Sequence, residues 1–168
     1  MNSGSRFAQF FKNAQGHTRD LYIALCMTAH LYTGLMLSEK FTCRFIGVTG
    51  PSMCPTLDPR DNLVMLDCFT VQFLREPKVG EVIMAQNPFK PGYTVIKRVL
   101  FKEGESAKFY SDKHKDYIEV EVPQGHIWVE GDNKDNSNDS RHFGPISLAL
   151  VEGIVRYRVF PFDKINQI

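Results

Sequence analysis

The sequence predicts a mainly β domain, an antiparallel barrel-like sheet, preceded by one N-terminal transmembrane helix. Two observations carry this prediction: an uncharged run of 18 residues near the N-terminus, and short apolar segments separated by turn residues after residue 40. The 168 residues, 43% of them hydrophobic, suit one domain with a real core, since ~150 residues bury about 70% of their unfolded surface. The 13 Phe argue against a disordered chain, and the net charge of +1 argues against nucleic-acid binding, which needs a strongly basic face.

Residues 1–20 form a basic segment with three Lys or Arg side chains and a single acid. Residues 21–38 carry no formal charge, and as a helix they would span about 27 Å, close to the ~30 Å of a bilayer core. We therefore expect a membrane anchor helix here, with a buried helix of the globular domain as the alternative. Because the basic segment precedes the helix, we expect the N-terminus on the cytoplasmic or matrix side of the membrane and residues 41–168 on the opposite side.

After residue 40, short apolar runs end at Gly, Pro, Asn or Asp, which is typical of strands separated by turns. The predicted strands are Cys43–Val48, Leu63–Cys68, Glu81–Ala85, Tyr93–Phe101, Tyr117–Val122, His126–Glu130 and Gly153–Phe160. Strands at this spacing predict one all-β, antiparallel domain over residues 41–168. The four Cys form no CxxC pair and the five His show no metal-ligand spacing, so we predict neither a metal nor a cofactor.

Two stretches could supply a nucleophile and a base. Ser52 lies between Pro51 and Pro55, just after a predicted strand, where rigid flanks would fix its hydroxyl. Lys97 and Arg98 are the only charges in an otherwise apolar strand, so at least one of them faces a hydrophobic environment. A desolvated lysine has a lowered pKa, and its neutral amine could activate a serine. The alternatives are an ordinary Gly-Pro-Ser turn and a lysine that reaches water at a sheet edge.

The third stretch is the polar loop at 131–141, Gly-Asp-Asn-Lys-Asp-Asn-Ser-Asn-Asp-Ser-Arg. Its Asn, Asp and Ser side chains can hydrogen-bond their own backbone and form a rigid turn. A calcium loop is excluded, because Lys134 takes the place of a ligand and Ser137 replaces the required Gly. Asn138 begins a formal glycosylation sequon, which matters only in a secretory compartment.

Together and in this order, these stretches resemble the type I signal peptidases, a family of serine–lysine proteases. Ser-Met-Cys-Pro-Thr at 52–56 resembles the family's nucleophile box, Lys-Arg-Val at 97–99 its lysine box, and Gly-Glu-Val-Ile at 80–83 its strand box. The loop at 131–141 matches the last box at every fixed position, and the resemblance covers roughly residues 45–160. It implies a signal-peptidase-like β domain with proteolytic activity.

The resemblance implies Ser52 as the nucleophile and Lys97 as the general base, with Ser137 beside Lys97 to orient its amine. The Ser52 backbone N–H would hold the oxyanion. The chain departs from the family in three places. Gly50 stands where some members have a second hydroxyl donor, so that donor is missing. Glu81 replaces the usual Asp, and residues 101–105 only loosely follow the expected Gly-x-Pro-Gly-Asp. Neither of these last two departures removes a catalytic group.

The same resemblance implies an ion pair between Asp139 and Arg141, with Asp132 stabilising their loop. The run at 126–132 and the terminal Phe160-Pro161 look mitochondrial, and the sequence at 139–141 is typical of the subunit 1 type of inner membrane protease. The implied enzyme is a membrane-bound endopeptidase that contacts inner-membrane lipid and faces the intermembrane space. It would remove sorting signals from precursor proteins as a heterodimer with a second, related subunit, without nucleic acid.

Three alternatives remain open from the sequence. One is a bacterial or secretory type I signal peptidase with the same chemistry, and another is a non-catalytic assembly subunit on the same fold. The third is a self-cleaving repressor, which would need a soluble DNA-binding head in place of the uncharged run at 21–38.

Overall fold

The computed structural model describes residues 20–36, 43–60, 62–111, 115–162 and 165–168. The chain divides into two compact units between residues 39 and 40. In the first unit, residues 20–36 form helix α1, which covers most of the predicted anchor, and its side chains are exposed except for a half-buried Cys26. The first 19 residues and the end of the predicted anchor lie outside the described residues. Among those described, no helix combines the length and the apolar character that a membrane span requires.

The second unit is mainly β, as predicted. The described residues of this unit form ten strands: β1 (Cys43–Val48), β2 (Asn62–Asp67), β3 (Val82–Gln86), β4 (Thr94–Lys102), β5 (Ser106–Ser111), β6 (Asp116–Glu121), β7 (His126–Glu130), β8 (Ile146–Ser147), β9 (Val151–Phe160) and β10 (Asn166–Gln167). The large antiparallel sheet has the order β1-β2-β9-β3-β4-β7-β8, with β10 beside β9, whereas β5 and β6 form a separate hairpin. The short helices are Pro51–Met53, Thr70–Leu74, Lys134–Asn136, Leu148–Leu150 and α2 (Ser140–Phe143).

All seven predicted strands form, each within two residues of its expected bounds. Strand β5 was missed, because only two of its apolar side chains turn inward. Ala107 is buried and the Phe109 ring lies 5.0 Å from the ring of Trp128, while the alternate positions of the strand are polar and exposed. Strands β8 and β10 have two residues each, too few to give a periodic signal.

Successive residues of the central strands enter two different cores. Along β3, Val82 and Met84 join the core that contains Leu66, while Ile83 and Ala85 join the core on the other face. This alternation is the ordinary consequence of the period of two along a strand. The sheet is therefore buried on both faces at its centre, where β3 and β4 lie side by side.

The first core also fixes the segment that follows β1. Met53 and Leu57 are 2% and 0% exposed, and they pack with the apolar side chains of β2 and β3. Burying each of these side chains contributes about 2 kcal/mol. The turn that carries Ser52 is thus held against the sheet by its neighbours.

Candidate active site

The Ser52 turn is built by its local sequence. Gly50 has φ 106, a left-handed conformation that favours glycine, and its N–H donates to the Pro59 carbonyl at 3.0 Å. Pro51 then begins a short 3-10 helix, for which its fixed φ is suited. With Met53 buried on one side, the half-buried Ser52 side chain is left facing the neighbouring cleft.

Lys97 lies opposite Ile83 in the pairing of β4 with β3, and only 4% of it is exposed. Its Nζ donates to Ser52 Oγ at 2.9 Å and to the Ile96 carbonyl at 3.0 Å. Burial lowers the pKa of Lys97, and this outweighs the opposite effect of the Asp139 and Asp132 carboxylates. The two side chains named from the sequence as nucleophile and base are therefore in direct contact.

Arg98 points to the other face of β4 and binds the carboxylate of Asp132 through Nε and Nη2, at 2.8 Å and 2.7 Å. The Thr56 hydroxyl donates to the same carboxylate at 2.5 Å, and Arg98 Nη1 donates to the Gly80 carbonyl at 2.7 Å. Burial alone would raise the pKa of Asp132, but Arg98 and Thr56 hold it below its ordinary value. Asp132 thus joins its own loop to the strand that carries Lys97 and to the turn that carries Ser52. From the sequence, Asp132 was expected only to stabilise its own loop.

The expected ion pair between Asp139 and Arg141 is present. Arg141 Nε and Nη2 donate to the carboxylate at 2.9 Å and 3.0 Å, and the Gly131 N–H donates to it at 3.0 Å. Asp139 is completely buried. Burial would raise its pKa, but the hydrogen bonds from Arg141 and Gly131 keep it below the ordinary value. A further bond from Arg141, to the Lys134 carbonyl at 2.8 Å, ties the end of the loop to its middle.

The role expected of Ser137 stays a prediction. Its Oγ is buried and helps to lower the pKa of Asp139, while the Lys97 amine bonds to Ser52 and to the Ile96 carbonyl. Ser137 packs against Gly131, where an added Cβ would come within 2.3 Å of Oγ. Among the described residues, the Lys97 amine makes no hydrogen bond to Ser137.

The sequence did not predict the contacts that Lys134 and Asn133 make. Lys134 fits the sequence as a solvated loop charge, but its amine pairs with the carboxylate of the buried Glu130. Asn133 donates from its backbone N–H to the Ser52 carbonyl at 3.0 Å and from Nδ2 to the Pro51 carbonyl at 3.1 Å. Asn is an ordinary turn residue, so its type gave no signal of this contact with the serine turn.

A cleft of about 580 Å³ opens beside Ser52 and Lys97. Its walls are residues 44–48 of β1 and residues 94–97 of β4, a segment that precedes the pairing of β4 with β7. Its lining combines apolar side chains with polar groups. The cleft could hold an extended peptide with one of its carbonyl groups near the Ser52 hydroxyl and the buried Lys97 amine. Within the described ranges, no three His, Cys, Asp or Glu side chains come together as a metal site would need.

Similarity to known proteins identifies the family of this chain. The sequence profile described as signal peptidase, peptidase S26, matches residues 19–113 and 101–160. Subunit 1b of the mitochondrial ATP-independent inner membrane protease of Arabidopsis thaliana is 39% identical over 137 residues, 80% of each chain. Mitochondrial inner membrane protease subunit 1 of Xenopus tropicalis is 39% identical over 116 residues, 69% of this chain and 68% of that one.

Subunit 2 of the mitochondrial inner membrane protease of Schizosaccharomyces pombe is 32% identical over 160 residues, 95% of this chain and 82% of that one. A solved signal peptidase I from Enterococcus faecalis aligns with a TM-score of 0.41 and 24% identity, covering 48% of this chain and 97% of that chain. The profile match and the identity to the subunit 1 relatives confirm the resemblance seen in the sequence motifs, and the chain belongs to the signal peptidase family, peptidase S26.

Proposed function

We propose that this chain is a membrane-bound serine endopeptidase that removes sorting sequences from proteins delivered to the mitochondrial intermembrane space. The observation that carries the chemistry is the 2.9 Å hydrogen bond between Lys97 Nζ and Ser52 Oγ, made by a lysine that is only 4% exposed. The compartment is proposed from the relatives, which are named mitochondrial inner membrane proteases.

In the acylation step, the neutral Lys97 amine takes the proton of Ser52 while Oγ attacks the scissile carbonyl carbon. The oxygen of the resulting tetrahedral intermediate becomes negative, and the Ser52 N–H donates to it. This amide lies in the first turn of a short helix, where backbone N–H groups lack an intrahelical acceptor. The Lys97 ammonium then protonates the departing amine, the C–N bond breaks, and the substrate remains bound to Ser52 as an ester.

In the deacylation step, the same amine takes a proton from water, and the water oxygen attacks the ester carbonyl. Collapse of the intermediate returns the proton to Ser52 Oγ and releases the new carboxyl terminus. The base must accept a proton in both steps, so a pKa lowered too far would make it weak. The nearby Asp139 and Asp132 carboxylates oppose the lowering of the Lys97 pKa and would stabilise its transient ammonium.

The cleft between β1 and β4 would hold the substrate as an extended strand. Residues 94–97 precede the pairing of β4 with β7, and β1 is the outer strand of the sheet. Both can therefore offer backbone hydrogen bonds to a peptide laid between them. The apolar side chains within this lining, which include Ile46 and Ile96, would contact alternate side chains of the peptide.

We further propose that residues 21–38 anchor the chain in the inner membrane, with residues 1–20 on the matrix side and residues 41–168 in the intermembrane space. The absence of charge from 21–38 and the basic segment before it support this orientation. The chain is similar to relatives named subunit 1 and to relatives named subunit 2. This supports a heterodimer with a second, related catalytic subunit.

The experiment that tests the chemistry compares Ser52→Ala, Lys97→Ala and Lys97→Arg in the membrane complex, with cleavage of a precursor as the measurement. All three should be inactive, since arginine keeps the charge but cannot give up its proton near neutral pH. Normal assembly of the variants into the complex would show that they are folded. Substantial activity in Lys97→Arg would end the serine–lysine mechanism, and processing that is unaffected by Ser52→Ala would favour a non-catalytic assembly subunit.

The compartment and topology need a separate experiment. After import into isolated mitochondria, the domain from residue 41 onward should be digested by added protease only once the outer membrane is opened, while an N-terminal tag should stay protected. Extraction of the intact chain by carbonate would contradict the anchor. Glycosylation at Asn138 in cells would place the chain in the secretory pathway and favour a secretory signal peptidase.

A further inference from the structure

Asn133 holds the two carbonyl groups that flank the Ser52 side chain. Its Nδ2 donates to the Pro51 carbonyl at 3.1 Å, and its backbone N–H donates to the Ser52 carbonyl at 3.0 Å. These carbonyls belong to two successive peptide units. The first unit carries the N–H of Ser52 and the second carries the N–H of Met53.

A trans peptide unit is planar, and its C=O and N–H point in opposite directions. A donor that fixes the carbonyl oxygen on one side therefore fixes the direction of the N–H on the other side. The Pro51 oxygen accepts from the Asn133 side chain and also from the Cys54 N–H of the same turn, at 3.1 Å. Asn133 is the partner from outside the turn, and with Cys54 it sets the direction of the Ser52 N–H. Its backbone bond to the Ser52 oxygen does the same for the N–H of Met53.

We propose that Asn133 is a positioning residue for the reaction: it orients the peptide amides of Ser52 and Met53 toward the negative oxygen of the tetrahedral intermediate. The proposal rests on the proposed role of Ser52 as the nucleophile. Asn133 acts through the serine turn and has no contact with the substrate.

The surroundings of Asn133 make it a rigid support. On one side, the Gly131 N–H is bound by the Asp139 carboxylate, and Asp132 is bound by Arg98 of β4. On the other side, the Lys134 carbonyl is bound by Arg141. The residues immediately before and after Asn133 are thus tied to charged partners, so its position relative to the turn is set by the loop as a whole.

The close approach of the two segments adds a second constraint. A Cβ at Gly131 would lie 2.4 Å from the Ser52 carbonyl oxygen, so the loop can approach the turn only because residue 131 has no side chain. The short amide of Asn133 then reaches the Pro51 oxygen. An Asp in its place would bring a carboxylate oxygen against a carbonyl oxygen, replacing an attraction by a repulsion.

The test uses the assembled membrane complex with Asn133→Ala, Asn133→Asp and the control Asn138→Ala. The control makes the same change in the same loop, at a side chain that is exposed. Cleavage of an internally quenched peptide that the wild-type complex cuts gives kcat and KM separately. Loss of one oxyanion donor costs about 100- to 1000-fold in kcat. A donor that remains but is less well oriented should cost about 10- to 100-fold in Asn133→Ala, with a larger loss in Asn133→Asp.

A merely structural role would lower the amount of assembled enzyme and leave kcat per assembled complex unchanged. The proposal instead predicts a lower kcat with little change in KM, and an unaltered pH dependence of kcat/KM in Asn133→Ala, because Lys97 is not touched. A peptide aldehyde of the same sequence forms a tetrahedral adduct with a serine, and its affinity should fall in parallel with kcat/KM. Should Asn133→Asp fail to assemble, Asn133→Ala carries the test alone, and should neither assemble, the role is structural and the proposal is overturned.

Wild-type kcat in Asn133→Ala, or a loss as large in Asn138→Ala, would also overturn the positioning role. The Ser52→Ala variant separates this outcome from a failure of the proposed function. If Ser52→Ala is inactive while Asn133→Ala is normal, the serine protease stands and only the positioning role falls. If Ser52→Ala is active, the proposed function itself is wrong.

Discussion

Arg98 and Asp132 face each other with two parallel hydrogen bonds, Nε to Oδ1 at 2.8 Å and Nη2 to Oδ2 at 2.7 Å, although 34 positions separate them in the sequence. The pair fastens the loop at 131–141 to the strand that carries Lys97. Neighbouring residues of a strand point to opposite faces, so the same strand supplies a buried amine on one face and a structural cation on the other. The loop and the amine are thereby held in register with each other.

The first prediction concerns the geometry of this pair. Arg98→Lys should destabilise the chain by about 1–2 kcal/mol and lower activity, because a single ammonium cannot make the paired contact with Asp132 and also reach the Gly80 carbonyl. Urea unfolding of the purified chain, followed by the fluorescence of its one Trp, Trp128, measures the loss. The control is Arg44→Lys, whose partner contact is more exposed and should be worth well under ~1 kcal/mol. Equal losses in the two variants would mean that the bidentate geometry has no special role.

The second prediction concerns the contact between loop and turn. Gly131→Ala should lower activity at least about tenfold, because the new methyl group would overlap the Ser52 carbonyl oxygen at 2.4 Å and displace the serine turn. The comparison is Gly153→Ala, where a Cβ would meet the Asp67 carbonyl at 2.9 Å, within the sheet. That change should lower the melting temperature and leave the kcat of the folded fraction near normal. Normal cleavage by Gly131→Ala would show that the turn can move without loss of function.

The third prediction concerns acid stability. Hydrogen bonds from Arg75, opposed in part by burial, lower the pKa of Glu81 from 4.5 to about 2. A carboxyl with a lowered folded-state pKa contributes stability above its unfolded pKa, and this contribution is lost as the pH falls through the folded value. Glu81→Gln should therefore be less stable than the wild type at pH 7, by about 1–2 kcal/mol, and the difference should shrink between pH ~4.5 and ~2. Urea unfolding at several pH values measures this, and a difference that does not change with pH would contradict the assignment.

Much of the fold follows from local pattern, as β1 and β7 illustrate. Each is a short apolar run bounded by turn residues, and each has the bounds expected from the sequence. The sequence did not predict strand β5, because only Ala107 and Phe109 of its apolar side chains join the small core around Trp128, and the positions between them are exposed. The contact with Trp128 stabilises this strand, and a tertiary contact of this kind produces no alternation of apolar residues along the sequence.

The candidate site divides in the same way. The burial of Lys97 could be predicted because it lies in an apolar strand. The pairing of Lys97 with Ser52 could be predicted from the ordered motifs that resemble those of the signal peptidases. The choice of Asp132 as the partner of Arg98 was not foreseeable, because Asp132, Asp135 and Asp139 lie close together in the loop and only the tertiary arrangement selects among them.

The last prediction concerns the cost of burying the base. Lys97 has a lowered pKa in the folded chain because burial disfavours its charged form. In the unfolded chain the amine keeps its ordinary value of 10.5, so at neutral pH folding must either remove its proton or bury a charge, and both lower the free energy of unfolding. Lys97→Met should therefore be inactive but more stable than the wild type at pH 7, by about 1 kcal/mol.

The sign of the pH dependence is the sharper test of this cost. Between the folded pKa and 10.5 the unfolded wild type binds one more proton than the native state, so its stability rises with pH relative to the variant, and the gap should close toward pH ~10. Urea unfolding at pH 7 and 9, with the exposed Lys90→Met as the control, measures both effects. A Lys97→Met chain that is less stable than the wild type at pH 7, or a gap that does not change with pH, would show that the folded chain bears no cost for this lysine and would remove the physical basis for its role as a base.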